Sequence, residues 1–198
     1  MKRLVALAVS TLFSAAALAS AAVGQRAPAF TVTDLSGKPV KLEDYKGKTI
    51  VLEWINFGCP FVMKHYSSGN MQALQKKYAN DVVWLAVNST SKGHSDYAEP
   101  GPLGVQLKQL GAAPARYLVD EPGVMGLAYG AKVTPHMYII DPSGKVVYNG
   151  AIDDKRSTNP DDVKTSKNYL VAALDELKAG KPVSTASTAP YGCTIKYR

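Results

Sequence analysis

Short apolar runs alternate with amphipathic stretches along most of the chain, and each apolar run predicts a strand. Residues 49–55 are almost entirely apolar, which is typical of a strand in the middle of a sheet that is covered on both faces. Residues 81–88 follow a predicted helix, so these two strands should be parallel. Residues 135–141 and 146–150 flank a Pro-Ser-Gly-Lys turn and predict an antiparallel hairpin.

Helices are predicted between these strands. One helix should run from Pro60 towards Ala79, directly after the first buried strand. A polar loop rich in glycine and proline covers residues 89–103, and a short helix should follow over 104–110. Apolar residues at helical spacing predict a last helix over 165–179. Strands that alternate with helices indicate an α/β fold, with a central mixed sheet and helices on both of its faces.

The first residues have the pattern of a secretory signal peptide. A basic start, Met1-Lys2-Arg3, precedes an apolar stretch over 4–18, and Ala19 and Ala21 fit small-residue cleavage sites. The apolar stretch is short for a bilayer span, which needs about 20 residues, but an uncleaved anchor is the alternative. We therefore expect a signal peptide over residues 1–21 and a periplasmic or secreted protein that has no membrane attachment after cleavage.

The chain that follows the leader has the length of one domain. We divide it into a domain over 22–183 and a C-terminal tail over 184–198, which carries Cys193. The formal net charge is +7, and the loss of Lys2 and Arg3 lowers it to about +5. The basic residues are scattered and do not interleave with aromatic residues, so no nucleic-acid partner is predicted.

Two cysteines carry the candidate chemistry. Cys59 lies where the buried strand passes into the helix that begins near Pro60. Unpaired N–H groups at a helix N-terminus stabilise a thiolate, which is the reactive form. Cys193 lies near the C-terminus, and in an oxidising compartment the pair can form a structural disulfide or a catalytic one that opens and closes. We expect no cofactor and no zinc site from the spacing of histidines and cysteines, with a soft metal held by the two cysteines as the alternative.

The order of elements, with Cys59 after the central strand, resembles the thioredoxin fold. The segment Val133-Thr134-Pro135, immediately before a predicted core strand, strengthens this resemblance. The resemblance implies a three-layer α/β/α sandwich in which Pro135 is a cis-proline beside the reactive cysteine. It further implies that Thr134 presents its backbone N–H and C=O to a partner chain or thiol, because proline itself has no N–H to offer.

A narrower resemblance covers nearly the whole chain after the leader. Residues 23–30 resemble the opening of the alkyl hydroperoxide reductase and thiol-specific antioxidant family, which is peroxiredoxin-like, and residues 139–146 match its late hairpin. Residues 58–66 and the tail residues 191–197 resemble an exported branch of that family. This resemblance implies a redoxin that acts on protein or small-molecule thiols and disulfides, or on hydroperoxides.

The chain departs from the motifs of this superfamily at four places. A peroxiredoxin has proline and threonine or serine where this chain has Leu52 and Asn56, and its peroxide-polarising arginine aligns with Pro135. A thioredoxin has a second cysteine where this chain has Val62. Cys59 is therefore predicted to be a lone nucleophile, with neither a complete peroxidase site nor a local dithiol.

We accordingly predict an exported thiol oxidoreductase in which Cys59 attacks a disulfide or a hydroperoxide. A lone thiol needs a second thiol to resolve its mixed disulfide, and either Cys193 or an external thiol could supply it. The polar segment 184–190 is predicted to be a flexible linker that lets the tail reach Cys59. Glu53 is a candidate proton relay, and His136 is a candidate neighbour of Cys59.

Two rival interpretations stay open at this point. One is a peroxiredoxin-type antioxidant peroxidase with a noncanonical pocket. The other is a non-enzymatic binding protein or metal chaperone with a permanent Cys59–Cys193 disulfide. His65 is interpreted as a surface or helix-packing histidine rather than a catalytic one, because its helical spacing from Cys59 is unfavourable for direct contact.

Overall fold

The computed structural model describes residues 21–198. Within this range, seven strands form one sheet: β1 (Thr31–Asp34), β2 (Pro39–Lys41), β3 (Thr49–Trp54), β4 (Val82–Asn88), β5 (Arg116–Val119), β7 (His136–Ile140) and β8 (Val146–Gly150). Their spatial order is β2-β1-β5-β4-β3-β7-β8. Two further short strands, β6 (Val133–Thr134) and β9 (Cys193–Thr194), pair with each other in antiparallel fashion.

The sheet is mixed, as the sequence predicts. Strand β4 lies parallel to both β3 and β5, whereas β7 lies antiparallel to β3 and to β8. The predicted β-α-β unit and the predicted hairpin are therefore confirmed. Strand β3 lies between β4 and β7, which explains why its residues are apolar on both faces.

Five α-helices connect the strands of the described range: α1 (Pro60–Ser67), α2 (Asn70–Lys77), α3 (Pro100–Gln109), α4 (Val124–Tyr129) and α5 (Tyr169–Lys178). Two 3-10 turns, Leu42–Tyr45 and Pro160–Lys164, complete the secondary structure. None of the helices within residues 21–198 combines the length and apolar character that crossing a membrane requires.

Three helix predictions were wrong in their boundaries, and the last helix begins at Tyr169 rather than at 165. The single helix expected from Pro60 towards Ala79 is two helices, because Gly69 has a left-handed backbone with φ of 74° and ends the helical path. Helix α3 begins at Pro100 rather than at Gly104, within the segment expected to be a loop. Proline is well suited to a first helical turn, since the N–H that it lacks would have no partner there.

Apolar residues on the two faces of the sheet form two separate cores. Along β3, Val51 contributes to one core, whereas Leu52 and Trp54 contribute to the other. Helices α1, α2, α3 and α5 pack on the first face, and α4 packs on the second. The fold is thus a three-layer α/β/α sandwich with a central mixed sheet, and it directs the C-terminal end of β3 towards the start of α1.

The C-terminal tail packs against the domain along much of its length. The segment expected to be a flexible linker is hydrogen-bonded. The Ser184 hydroxyl donates to Glu176, the N–H of Thr188 donates to the carbonyl of Asn149, and the Thr188 hydroxyl oxygen accepts from the N–H of Ala151. The difference from the sequence expectation arises because these polar side chains bind backbone and carboxylate groups of the domain instead of water. The predicted signal peptide lies outside the described residues except for Ala21, which is buried.

Candidate active site

Cys59 is the N-cap residue of α1 and lies five residues beyond the end of β3. Its backbone is extended, and Pro60 occupies the first turn of the helix. Only 3% of the residue is exposed to solvent, and its thiol donates a hydrogen bond to the carbonyl oxygen of Thr134 at 3.1 Å. The structure thus has the strand-to-helix junction that the sequence predicts, with the thiol at a helix N-terminus, where a negative charge is favoured.

The Thr134-Pro135 peptide bond is cis, in agreement with the sequence expectation. Strand β6 ends at Thr134 and pairs with β9, so that Thr134 lies opposite Cys193 and Val133 lies opposite Thr194. Thr134 therefore contacts both halves of the candidate redox pair, because its carbonyl accepts from Cys59 while its strand partner is Cys193.

Cys193 lies beside Cys59 although the two residues are far apart in sequence. Both are free thiols, and Cys193 is half-buried. Burial, followed by the hydrogen bond and the charge of Cys59, raises the pKa of the Cys193 thiol. The backbone N–H of Phe61 and the charge of Lys196 act in the opposite direction. The raised pKa favours Cys193 as the thiol that reacts second, and the helix N-terminus favours Cys59 as the attacking thiolate.

Gly192 allows the tail to come this close to the cis-proline segment. Its φ of 146° lies in the range that side chains rarely adopt, and a Cβ atom at this position would overlap the backbone of Thr134 and Pro135. The chain can therefore pass from Tyr191 to Cys193 along this path only with glycine in between.

We expect Gly192→Ala to push the tail away from β6 and to lower the free energy of unfolding by about 1–3 kcal/mol, as overpacking does. The accompanying readout is a faster alkylation of Cys193. Gly180→Ala is the matched control, since Gly180 has a φ of 68° with no atom near its would-be Cβ. Equal alkylation rates in the two variants would contradict the close-approach argument.

A small cavity of about 30 Å³ lies next to Cys59. Asn56 organises its wall, since its side-chain oxygen accepts from the N–H of Gly58 at 2.7 Å and its amide nitrogen donates to the Thr90 hydroxyl. The described residues that line the cavity include Lys196 but no arginine. The lining consists of Asn56, Gly58, Cys59, Thr90, Asp96, Thr134, Cys193, Thr194, Ile195 and Lys196.

Glu53 is completely buried and is the residue before the last of β3. Its carboxylate accepts hydrogen bonds from the Trp84 indole at 2.7 Å and from the Tyr66 hydroxyl at 3.0 Å. Burial raises the pKa of Glu53 to about 7, even though these hydrogen bonds act to lower it. Tyr66 in turn stacks edge-on against Phe57, two residues before Cys59. The candidate proton relay is thus a titratable group near neutral pH, and its role stays a prediction.

His136 and His65 are both buried, and both bond to residues other than Cys59. His136 accepts from the N–H of Lys132 and bonds to Asn149 at 2.8 Å, so its ring nitrogens are engaged away from Cys59. His65 packs inside the protein, where Asn70 bonds to its ring. Burial lowers the pKa of each histidine to about 4, so both are neutral at physiological pH.

A buried charged cluster joins α1 to the tail, and sequence reasoning did not find it. The Lys64 ammonium contacts the Asp153 carboxylate at 3.1 Å, the carbonyl oxygen of Lys155 at 2.7 Å and the hydroxyl of Tyr191 at 3.2 Å. The Tyr191 hydroxyl also donates to Asp153. We refer to Lys64, Asp153 and Tyr191 as the buried cluster. Within residues 21–198, no group of three or more histidine, cysteine or acidic residues has a geometry that could hold a metal ion.

The family model for AhpC/TSA matches residues 23–149. The chain belongs to the AhpC/TSA family. Thioredoxin-like protein YneN of Bacillus subtilis is 31% identical over 129 residues, which are 62% of this chain and 68% of that protein. Thiol-disulfide oxidoreductase ResA of Bacillus thuringiensis is 27% identical over 128 residues, covering 63% of this chain and 67% of ResA.

A solved structure extends this similarity beyond the matched domain. An uncharacterised conserved protein from Geobacillus kaustophilus superimposes with a TM-score of 0.76 and 31% identity, covering 89% of this chain and 93% of that one. The fold is therefore thioredoxin-like, and the AhpC/TSA chain described here is a relative of thiol-disulfide oxidoreductases.

Proposed function

We propose that this AhpC/TSA protein is a thiol-disulfide oxidoreductase in which Cys59 is the nucleophile and Cys193 is the resolving thiol. The observation that carries the proposal is the antiparallel pairing of β6 with β9, which holds Cys193 opposite Thr134 while Thr134 accepts a hydrogen bond from Cys59. A resolving thiol must reach the sulfur that carries the mixed disulfide, and here the two thiols are already neighbours.

The exchange takes place in two steps whose atoms and electrons balance. The Cys59 thiolate attacks one sulfur of a substrate disulfide, so that a Cys59–substrate disulfide forms and the other substrate sulfur departs as a thiolate. Cys193 then attacks the Cys59 sulfur, forms the Cys59–Cys193 disulfide and releases the second substrate thiolate. The substrate gains two electrons and the protein loses them, and an external dithiol must return them.

Contacts of Cys193 with Cys59 contribute to the order of these two steps. In the reduced protein, burial raises the pKa of the Cys193 thiol most, and the hydrogen bond and charge of Cys59 raise it further. Once Cys59 is bound covalently to substrate, it no longer carries that charge, and Cys193 loses its proton more readily. The proton passes to the departing thiolate or to water. Cys193 is thereby a better nucleophile after the first step than before it.

Several features support a disulfide substrate over a hydroperoxide. Asn56 stands where a peroxidase has threonine or serine, and its amide is fully occupied by Gly58, Thr90 and Asp96. Pro135 stands where the peroxide-polarising arginine is expected, and proline offers a peroxide neither a positive charge nor an N–H donor. The name of the relative ResA, thiol-disulfide oxidoreductase, is consistent with this preference. The leader pattern over residues 1–21 supports export to an oxidising compartment.

The proposal predicts that Cys193→Ser traps substrates as stable mixed disulfides on Cys59. Partners should be recovered by non-reducing gels and released by a thiol reductant, because the resolving step is missing. Cys59→Ser is the control and should trap none. Two results together would favour a structural disulfide: recovery of no partner, and a reduction potential of the Cys59–Cys193 bond below about −300 mV. Rapid consumption of hydrogen peroxide that depends on Cys59 would favour the peroxidase.

A further inference from the structure

The buried cluster links the two chain segments that carry the reactive thiols. Lys64 lies on α1, the helix that Cys59 begins, whereas Tyr191 lies two residues before Cys193. Asp153 lies just beyond β8 and bonds to both of them. The side chains of Lys64 and Asp153 are almost completely inaccessible to solvent, at 0% and 1%. A charged pair at such depth persists only when its remaining hydrogen-bonding capacity is satisfied.

Tyr191, which belongs to the tail, supplies hydrogen bonds to both members of this charged pair. The Lys64 ammonium has three N–H donors, and its acceptors are Asp153, the carbonyl of Lys155 and the Tyr191 hydroxyl. The Nε2 atom of the neutral His65 ring lies 3.9 Å from Asp153, which is beyond hydrogen-bond distance, so His65 does not replace any of these contacts. Removal of the tail would therefore take one of three acceptors from a buried ammonium and one donor from its carboxylate.

The ring of Tyr191 also contacts residues of α1. It packs edge-on against Phe61 with ring centroids 5.8 Å apart, and the Lys64 ammonium lies 5.5 Å from its centre. Phe61 is two residues after Cys59, and Tyr191 is two residues before Cys193. Each thiol is therefore separated by a single residue from one ring of this aromatic pair: Pro60 lies between Cys59 and Phe61, and Gly192 lies between Tyr191 and Cys193.

We propose that Tyr191, held by Lys64 and Asp153, is a positioning residue that latches the Cys193 tail over Cys59 and so controls both steps of the exchange. This inference rests on the proposed function. When the latch is closed, Cys193 is in place to resolve, but β9 covers the edge of β6 and Cys59 is buried. When the latch opens, an external disulfide can reach Cys59, since the cavity of about 30 Å³ left under the closed tail has room for about one water.

The latch therefore affects the two steps in opposite directions. Attack on an external disulfide requires the open tail, so weakening the latch should speed this step. Resolution requires the tail to return to Cys59, so the same change should slow it. A general loss of stability would not produce this pair of opposite effects. One hydrogen bond to a charged group corresponds to about tenfold in the equilibrium between the closed and open tail, so the speed-up of the first step multiplied by the slow-down of the second should be about tenfold.

The test follows the reaction of the reduced, full-length protein with dithiodipyridine. The first pyridinethione is released when Cys59 forms its mixed disulfide, and the second when Cys193 displaces the remaining half. A Cys193→Ser background isolates the first step. We expect Tyr191→Phe, which keeps the ring and loses the hydroxyl, to speed the first release and to slow the second, with the two rate factors multiplying to about tenfold.

Tyr78→Phe is the matched control, because the Tyr78 hydroxyl also donates to an aspartate, Asp175 at 2.7 Å, and neither residue belongs to the buried cluster. It should change neither phase. Phe61→Leu, which removes the aromatic contact, should act in the same directions as Tyr191→Phe. If both pyridinethione releases keep their rates in Tyr191→Phe and Phe61→Leu, or if both change in the same direction, the latch is refuted. The proposed exchange between Cys59 and Cys193 would still stand. A parent protein that releases no second pyridinethione would instead refute resolution by Cys193.

Discussion

We expect Lys64→Met to lower the free energy of unfolding by about 3–5 kcal/mol, because it leaves the Asp153 carboxylate buried without its counter-charge. The ammonium contacts both carboxylate oxygens, at 3.1 and 3.3 Å, and methionine offers them no hydrogen bond. Methionine has a similar length and fills the same space, so little of the loss should come from packing. Urea unfolding of the reduced protein at neutral pH measures the difference.

Lys77→Met is the matched control for this measurement. Lys77 also pairs with an aspartate, Asp175 at 3.3 Å, but both side chains are about half exposed, so the expected loss is below about 1 kcal/mol. Combining Lys64→Met with Asp153→Leu and Tyr191→Phe should recover most of the stability, since an apolar replacement of a whole buried cluster is often neutral. Equal losses for Lys64→Met and Lys77→Met would contradict the burial argument.

We expect the stability of the protein to fall by about 3 kcal/mol as the pH rises from about 4 to about 8, because of Glu53 alone. Burial raises the pKa of Glu53 from 4.5 to about 7, so the folded protein keeps a proton that the unfolded chain gives up. This contribution is complete below pH 4.5 and is lost as the pH rises through 7. The group is fully buried, so solvent screening does not reduce the effect.

Urea unfolding of the protein and of Glu53→Gln over this pH range tests the expectation. Glutamine is neutral throughout, so the variant should gain about 3 kcal/mol relative to the parent between the two pH extremes. Glu43→Gln, at a carboxylate that is 72% exposed, should leave the pH profile unchanged. Parallel profiles for Glu53→Gln and the parent would show that folding does not raise the pKa of Glu53.

Elements whose pattern is local could be predicted from the sequence. The apolar run that forms β3 and the turn that joins β7 to β8 lie at the expected positions, because burial on two faces and turn residues leave clear local signals. The break at Gly69 could not be predicted, since a glycine within a helical pattern is compatible with both a continuous and an interrupted helix. Pro100 was similarly ambiguous between a loop and a first helical turn.

The same distinction separates the two parts of the candidate site. Cys59 and the Thr134-Pro135 segment belong to short motifs, and the cis bond that the resemblance implies is present. The buried cluster joins residues that are 89 and 127 positions away from Lys64. No local sequence pattern encodes pairs at such separations. Lysine and aspartate are normally exposed, so the sequence alone favours a solvated surface position for Lys64 and Asp153. Their burial follows only from the return of the tail across α1.

The separation of the two cysteines along the chain has a thermodynamic consequence. Positions 59 and 193 are 134 residues apart, so a disulfide between them would close a loop that spans most of the domain. In the chain-entropy model such a crosslink restricts the unfolded ensemble enough to stabilise the folded state by about 5 kcal/mol. Each turnover would then move the protein between a more stable oxidised form and a less stable reduced form. Electron transfer and resistance to unfolding would be coupled through one bond.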